Sequence, residues 1–423
     1  MKVLWFVNVP IPPIGAALPS PGDYLGSGWW ISWLLAALRK REDIELHVAW
    51  GHEGRYHGIK QLDSRCTVEA FPLWHQSRAP LGGAVRPGLG GLYSLLIDRY
   101  PIGAHEIVER VAPDLIHVHG TEGPFAMVLE KTSVPSLISI QGSPGDWAVR
   151  YWGGAGPAAK IRNPRGFKNY LQFVLAGARE ARMLTHARAI HGGTSWDRRF
   201  ARRSAPDASF YHAVAAVGPD FFDVRRSVDP SPHREKVVMT AFSPQPYKGA
   251  ELAISAVASL RRSGHAVRLV LAGWCPQKGW GREILRAARA AGSGAVEITG
   301  YLQPRALAER LATADIYVLP SYMENAPNTL LEAMCVGVPC IAARVGGVAS
   351  MLRDGVEGLT FRRGDLRDLT DKVERVIVDT EFATKVGMAG AARVRSANEP
   401  ASVAARTIDI YRSVIEDARR QVA

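Results

Sequence analysis

Short apolar runs alternate along this chain with longer segments whose apolar positions recur every three or four residues. The first pattern predicts buried strands and the second amphipathic helices. In the N-terminal half the strands fall at 3–9, 44–50, 115–119, 136–140 and 189–193, and the helices at 30–40, 104–111 and 170–185. The second half repeats the alternation, with strands at 237–241, 267–272, 296–299 and 316–319 and helices at 250–262, 281–291 and 306–312. Strands interleaved with helices make parallel sheets, so the fold class is α/β with two doubly wound, Rossmann-like domains. The expected boundaries are 1–217, a linker rich in proline and charge at 218–235, a second domain at 236–399, and a terminal helix at 400–423 with Pro400 in its first turn. Ligands of such sheets bind beyond the carboxyl ends of the strands.

The densest chemistry lies between two strand patterns in the second half. Glu324 and Glu332 flank a helix start, with Pro327 holding Ala326 extended and Asn328 expected as the N-cap. The amides of Thr329 to Leu331 would then be free, at a positive helix end with a carboxylate on either side. That layout suits a phosphate on the amides, with the carboxylates taking hydroxyls of the groups attached to it, as in a nucleotide-sugar. Two glutamates about a helix start are usually a solvated helix end; the buried strands expected before and after them change that reading.

With these neighbours the segment 236–364 resembles the donor-binding domain of retaining glycosyltransferases of family 4, also called glycosyl transferases group 1. The matching pieces are Lys248-Gly249, Leu271-Ala-Gly273, Thr299-Gly-Tyr301, Leu319-Pro-Ser321, Glu324 through Glu332, Gly337-Val-Pro339, Gly346-Gly347 and Asp354-Gly355. The resemblance implies a GT-B fold, two domains facing a central cleft with the last helix crossing back to the first. It implies transfer of a hexosyl unit from a nucleoside-diphosphate sugar to an acceptor hydroxyl with retention, no metal and no cofactor. Lys248 would meet the diphosphate, Glu332 the ribose, and Glu324 the transferred sugar. Asn325, Ala326, Asn328 and Thr329 would line sugar and phosphate, and Gly273 and Tyr301 the nucleobase pocket.

The resemblance extends more weakly into the first half. His119, at the end of the strand 115–119, matches the family's active-site histidine, while His117, on the same strand face, reads as structural. Gly26 and Gly28 open the first helix, where the family's loop approaches the donor phosphates; the third glycine of a dinucleotide fingerprint is missing. Two positions depart from the pattern: Ser243 stands where an arginine is usual, and Ser350 where a glutamate is frequent. A catalytically inactive nucleotide-sugar-binding scaffold, or a GT-B epimerase or phosphorylase, therefore remains an alternative.

Composition adds a partner. Hydrophobic content of 47% and charged content of 22% are those of a globular protein, but the net charge is +12. Residues 160–203 hold eleven Lys or Arg against two acids, Glu180 and Asp197. Next to Trp147, Tyr151, Trp152 and Phe167, this basic stretch suggests a glycan or lipid-linked acceptor and peripheral membrane contact. Neither zinc-finger spacing nor an aromatic RNA-binding signature is present, so nucleic acid is not an expected partner. Cys66, Cys275, Cys335 and Cys340 lack metal spacing and read as free thiols. Asn8 and Pro10 interrupt the apolar N-terminus too early for a signal peptide, which points to a cytoplasmic protein on the inner membrane face.

Overall fold

The computed structural model describes residues 1–9, 28–52, 57–72, 101–227, 231 and 234–422. They form two compact units. Unit 1 comprises Met1–Ala148, Leu171–Ala216 and Pro400–Ala423; unit 2 comprises Val149–Tyr170 and Val217–Glu399.

Unit 1 opens with β1 (Lys2–Val7), α1 (Trp29–Leu38), β2 (Glu45–His52), β3 (Gly58–Asp63), β4 (Cys66–Pro72), α2 (Ile102–Val111), β5 (Leu115–His119) and β6 (Ser136–Ser139). Three helices follow in sequence, α3 (Pro144–Arg150), α4 (Pro157–Ile161) and α5 (Pro164–Leu184), of which α4 and α5 up to Tyr170 lie in unit 2; unit 1 then continues with β7 (Ala189–Gly192), α6 (Ser195–Ser204) and β8 (Ser209–His212). The sheet order is β3-β4-β2-β1-β5-β6-β7-β8, parallel except for the edge strand β3. The apolar alternation missed β3, whose middle residues are exposed, since an edge strand with one wet face lacks a continuous apolar run. β1 and β5 are buried on both faces, which is why they read as unbroken apolar runs. α6 begins at Thr194 with a capping box, Thr194 and Asp197 each bonding the other's backbone N–H.

In unit 2, a short helix α7 (Pro219–Asp223) occupies the stretch expected to be linker. It precedes β9 (Lys236–Ala241), α8 (Ala250–Arg262), β10 (Val267–Ala272), α9 (Trp280–Ala290), β11 (Val296–Gly300), α10 (Pro304–Ala312) and β12 (Ile316–Leu319). The unit is completed by α11 (Asn328–Val336), β13 (Cys340–Ala343), α12 (Val348–Met351), β14 (Leu359–Phe361), α13 (Leu366–Val378) and α14 (Thr380–Ala397). All six strands are parallel in the order β11-β10-β9-β12-β13-β14. The order reverses between β9 and β12, so the loops leaving these two strands diverge and open a crevice at their carboxyl ends.

The terminal helix α15 (Pro400–Val422) groups with unit 1, where Ala404, Ile408, Tyr411 and Val414 enter the core beside Trp5, Leu35 and Leu38. Residues 149–170, which the sequence placed in the first half, group with unit 2. Two glycines allow this. A Cβ on Gly153 would lie 2.8 Å from Pro246 O, and one on Gly154 2.1 Å from the Tyr322 hydroxyl. Tyr151 is buried near the Tyr247 ring at 6.3 Å between centroids, and Trp147 packs on Phe173. Of the aromatics considered for stacking on an acceptor, Phe167 stays well exposed. No described helix is long and apolar enough to cross a membrane.

Candidate active site

The switch point of unit 2 brings together the two loops that carry the expected donor residues. After β9 the chain turns through a single 3-10 turn, Pro246–Lys248, into Gly249, whose φ of 68° suits a residue without a Cβ. After β12 it continues through Pro320 to Glu324. The loops touch through their backbones: Tyr322 N–H donates to Tyr247 O at 2.7 Å, and a Cβ on Gly249 would lie 2.3 Å from Pro320 O. Gly249→Ala is therefore expected to destabilise the protein by about 1–3 kcal/mol from backbone strain and to weaken nucleotide binding by displacing Lys248. Urea unfolding and nucleotide titration check both effects.

Lys248 Nζ donates to Glu324 Oε1 at 2.6 Å, and Ser321 Oγ donates to the same oxygen at 2.7 Å. Burial works against the Lys248 ammonium, yet the charge and hydrogen bond of Glu324 outweigh it and leave its pKa raised. Ser321 was legible as part of a motif, but its role in holding Glu324 was not. A third contact comes from the turn at Gly346, where a Cβ would lie 1.5 Å from Glu324 O. Ser350 Oγ donates to Gly347 O at 2.8 Å, so the serine found where a glutamate is frequent serves its own turn.

α11 starts one residue earlier than a cap at Asn328 requires. Pro327 is the N-cap, extended at φ −66° and ψ 111°, and Asn328 is the first helical residue. Proline has neither a side-chain acceptor nor an N–H, and no side chain caps this end. The first-turn amides at Asn328 and Thr329 are thus available to a ligand anion. Tyr317 donates its hydroxyl to Thr329 Oγ1 at 2.8 Å, fixing the turn to β12. Asn325 is buried and Ala326 half-buried beside it. Glu332 is buried one turn into α11, and burial pushes its carboxyl up to about 8. It therefore holds its proton at neutral pH until a partner stabilises the carboxylate.

Gly273 and Tyr301 follow β10 and β11. Gly273 N–H donates to Gly300 O at 2.9 Å, which places Tyr301 beside it. A Cβ on Gly273 would lie 2.1 Å from Phe242 O, so packing accounts for this glycine. Ser243, one residue further along the same loop, is half-buried and accepts the Gln245 N–H at 2.8 Å. Glu251, in the first turn of α8, was not anticipated; burial raises its carboxyl to about 7, with Trp280 Nε1 donating to Oε2 at 3.4 Å.

In unit 1, β5 carries His117 and His119 at its own switch point, between β1 and β6. The indole of Trp5 can only donate, and it donates to the Tyr411 hydroxyl at 2.9 Å. The same hydroxyl bonds His117 Nδ1 at 2.7 Å, His117 Nε2 bonds Ser139 Oγ at 2.6 Å, and Ser139 Oγ bonds His191 Nδ1 at 2.8 Å. Burial holds His117 neutral, and both its nitrogens are satisfied, which makes it structural. The His119 ring packs at a tilt against His117 at 3.8 Å and Trp5 at 4.4 Å between centroids, while its buried Nε2 has no partner among the described residues. Burial and the neighbouring His191 lower its pKa to about 3, so it is a neutral imidazole. Gly28 is the N-cap of α1 with φ 83°; Gly26 lies outside the described residues. Among the described residues no three His, Cys, Asp or Glu side chains gather as metal ligands, and the four cysteines are free thiols.

Residues 222–393 match the family described as glycosyl transferases group 1. The match covers this segment of unit 2 and not the rest of the chain. The group 1 segment begins in α7 and contains every candidate donor residue of unit 2. Among curated proteins, the D-inositol 3-phosphate glycosyltransferase of Nocardia farcinica is 30% identical over 149 residues, 34% of this chain and 33% of that protein. The chain thus spans about a third of the length of the curated relatives it matches. Solved structures cover nearly all of it. Sucrose-phosphate synthase from Thermosynechococcus elongatus superposes with a TM-score of 0.71 at 17% identity, over 98% of this chain and 99% of that one. Anabaena Alr3699/HepE, solved in complex with UDP and glucose, gives 0.64 at 16% identity over 98% and 100%. At these identities the likeness shows the fold, which is GT-B with two Rossmann-like α/β domains.

Proposed function

We propose that the protein is a retaining, metal-independent glycosyltransferase. It moves a hexosyl unit from a nucleoside-diphosphate sugar to a hydroxyl of a glycan or lipid-linked acceptor, in cell-surface polysaccharide assembly. The observation that carries this reading is the Lys248–Glu324 pair at the switch point, beside a helix end that no side chain caps. Lys248 and the first amides of α11 take the diphosphate, Glu332 accepts the ribose hydroxyls, and Gly273 and Tyr301 border the base. Ser243 supplies a hydroxyl where an arginine is usual, so Lys248 is the cation of this loop. The complex of the Anabaena protein with UDP and glucose favours UDP as the nucleotide.

As the bond from the anomeric carbon to the phosphate oxygen breaks, Lys248 neutralises the departing diphosphate and Glu324 stabilises positive charge on the sugar. The acceptor oxygen bonds the same face of that carbon, and its proton passes to the departing phosphate oxygen. His119, a neutral imidazole with an open Nε2, orients a sugar or acceptor hydroxyl.

The test is a thermal-shift series with UDP, GDP and ADP, followed by proton NMR of the product. UDP should raise the melting temperature most. The product anomer should match the donor's, with turnover unchanged in EDTA. An inverted product, or no shift with any nucleotide, overturns the proposal.

A further inference from the structure

The helix α5 has two apolar faces. Ala176, Met183 and Leu184 turn inward with the buried Glu180. On the opposite face Phe167, Leu171, Val174, Ala178 and Ala181 recur at the i, i+4, i+7, i+11, i+14 spacing of one helical stripe, and all five are exposed. Phe167 is 64% exposed, Leu171 40% and Val174 39%, while Ile161, at the end of α4, is 82% exposed. The stripe runs about 21 Å along the helix. A surface helix normally turns polar residues outward, so a continuous apolar outer face marks an interaction surface.

Charge selects the occupant. Lys160, Arg165 and Lys168 are exposed around the N-terminal end of the stripe, and between residues 149 and 184 the sequence has one acid, the buried Glu180. At the other end Arg182 pairs with Glu130 at 3.1 Å. A second copy of this chain, docked face to face, would set these cations against themselves. A nucleic acid would find one aromatic ring on the stripe and no partner for its aliphatic side chains. An apolar stripe with cations beside it matches a helix lying in the plane of an anionic lipid surface, apolar face towards the acyl chains and ammonium groups among the headgroups.

We propose that α5 docks the protein on anionic bilayers through Phe167, Leu171 and Val174, with Lys160, Arg165 and Lys168 contributing the charge attraction. Docking of this kind needs no donor and does not depend on the glycosyl-transfer reading. The test is co-sedimentation of the full chain with vesicles of phosphatidylcholine containing about a third phosphatidylglycerol, and with phosphatidylcholine alone. The wild type should bind the anionic vesicles and lose binding in high salt. Phe167→Ser with Leu171→Ser should weaken binding at least tenfold, and each of Lys160→Ala, Arg165→Ala and Lys168→Ala by roughly fivefold. All variants should keep the wild-type nucleotide thermal shift, which shows that they are folded and leaves the donor site out of the result. Absence of wild-type binding to anionic vesicles overturns the proposal, as does undiminished binding by the double serine variant. A wild-type dimer in sedimentation equilibrium that the serines dissociate would also overturn it, assigning the face to a second copy.

Discussion

Replacing Lys248 by Met should slow turnover by about 10²–10³-fold, the usual cost of removing one group that stabilises developing negative charge. The same change leaves Glu324 buried with Ser321 as its remaining partner, and breaking a buried pair from one side costs about 3 kcal/mol. The two losses can be separated. Adding Glu324→Gln to Lys248→Met removes the stranded charge, so the double variant should recover most of the stability and none of the turnover. Urea unfolding reads the first and a donor-consumption assay the second. A double variant as unstable as the single one would mean that the loops, rather than the ion pair, set the stability.

Glu332→Gln is expected to stabilise the folded protein above neutral pH while weakening nucleotide binding by roughly 10–100-fold, the worth of hydrogen bonds to a charged acceptor. The ordinary glutamate value is 4.5, and burial raises the folded one to about 8. Between those values the folded chain keeps a proton that the unfolded chain has released. Stability contributed at this residue is therefore full below pH 4.5, falls as pH rises, and is gone above about pH 8, a loss of about 5 kcal/mol. Glutamine cannot ionise, so the difference between the two proteins should grow along this window. Subtracting the variant's curve also removes Glu122 and Glu251, whose carboxyls burial raises to about 8 and about 7. Ribose hydroxyls donating to Glu332 favour its carboxylate. Wild-type affinity for UDP should accordingly rise by up to about tenfold per pH unit towards pH 8 and flatten above it. Calorimetric titrations at pH 6, 7 and 8.5 test this, and a Glu332→Gln protein with the same pH slope would overturn the assignment.

The sequence by itself determined that each half holds a parallel sheet, though not every strand of it, because strands covered on two faces read as apolar runs, as β5, β10 and β12 do. It also put Lys248 and Glu324 on loops that leave strands, and only the structure shows those strands, β9 and β12, to be neighbours at a switch point. It did not determine which residue capped α11, because Pro327 and Asn328 both suit a helix start and one residue of chain path decides between them. Nor could it show that 149–170 leaves the first half for unit 2, a choice made by two glycines fitting beneath Tyr322 and Pro246. The neutral state of His117 comes from burial, to which Tyr411, almost three hundred residues away, contributes by bonding its Nδ1. Periodicity records which face of an element meets the core. Side-chain partners, and the pKa values that follow from them, are set only when distant segments close around one another and exclude water.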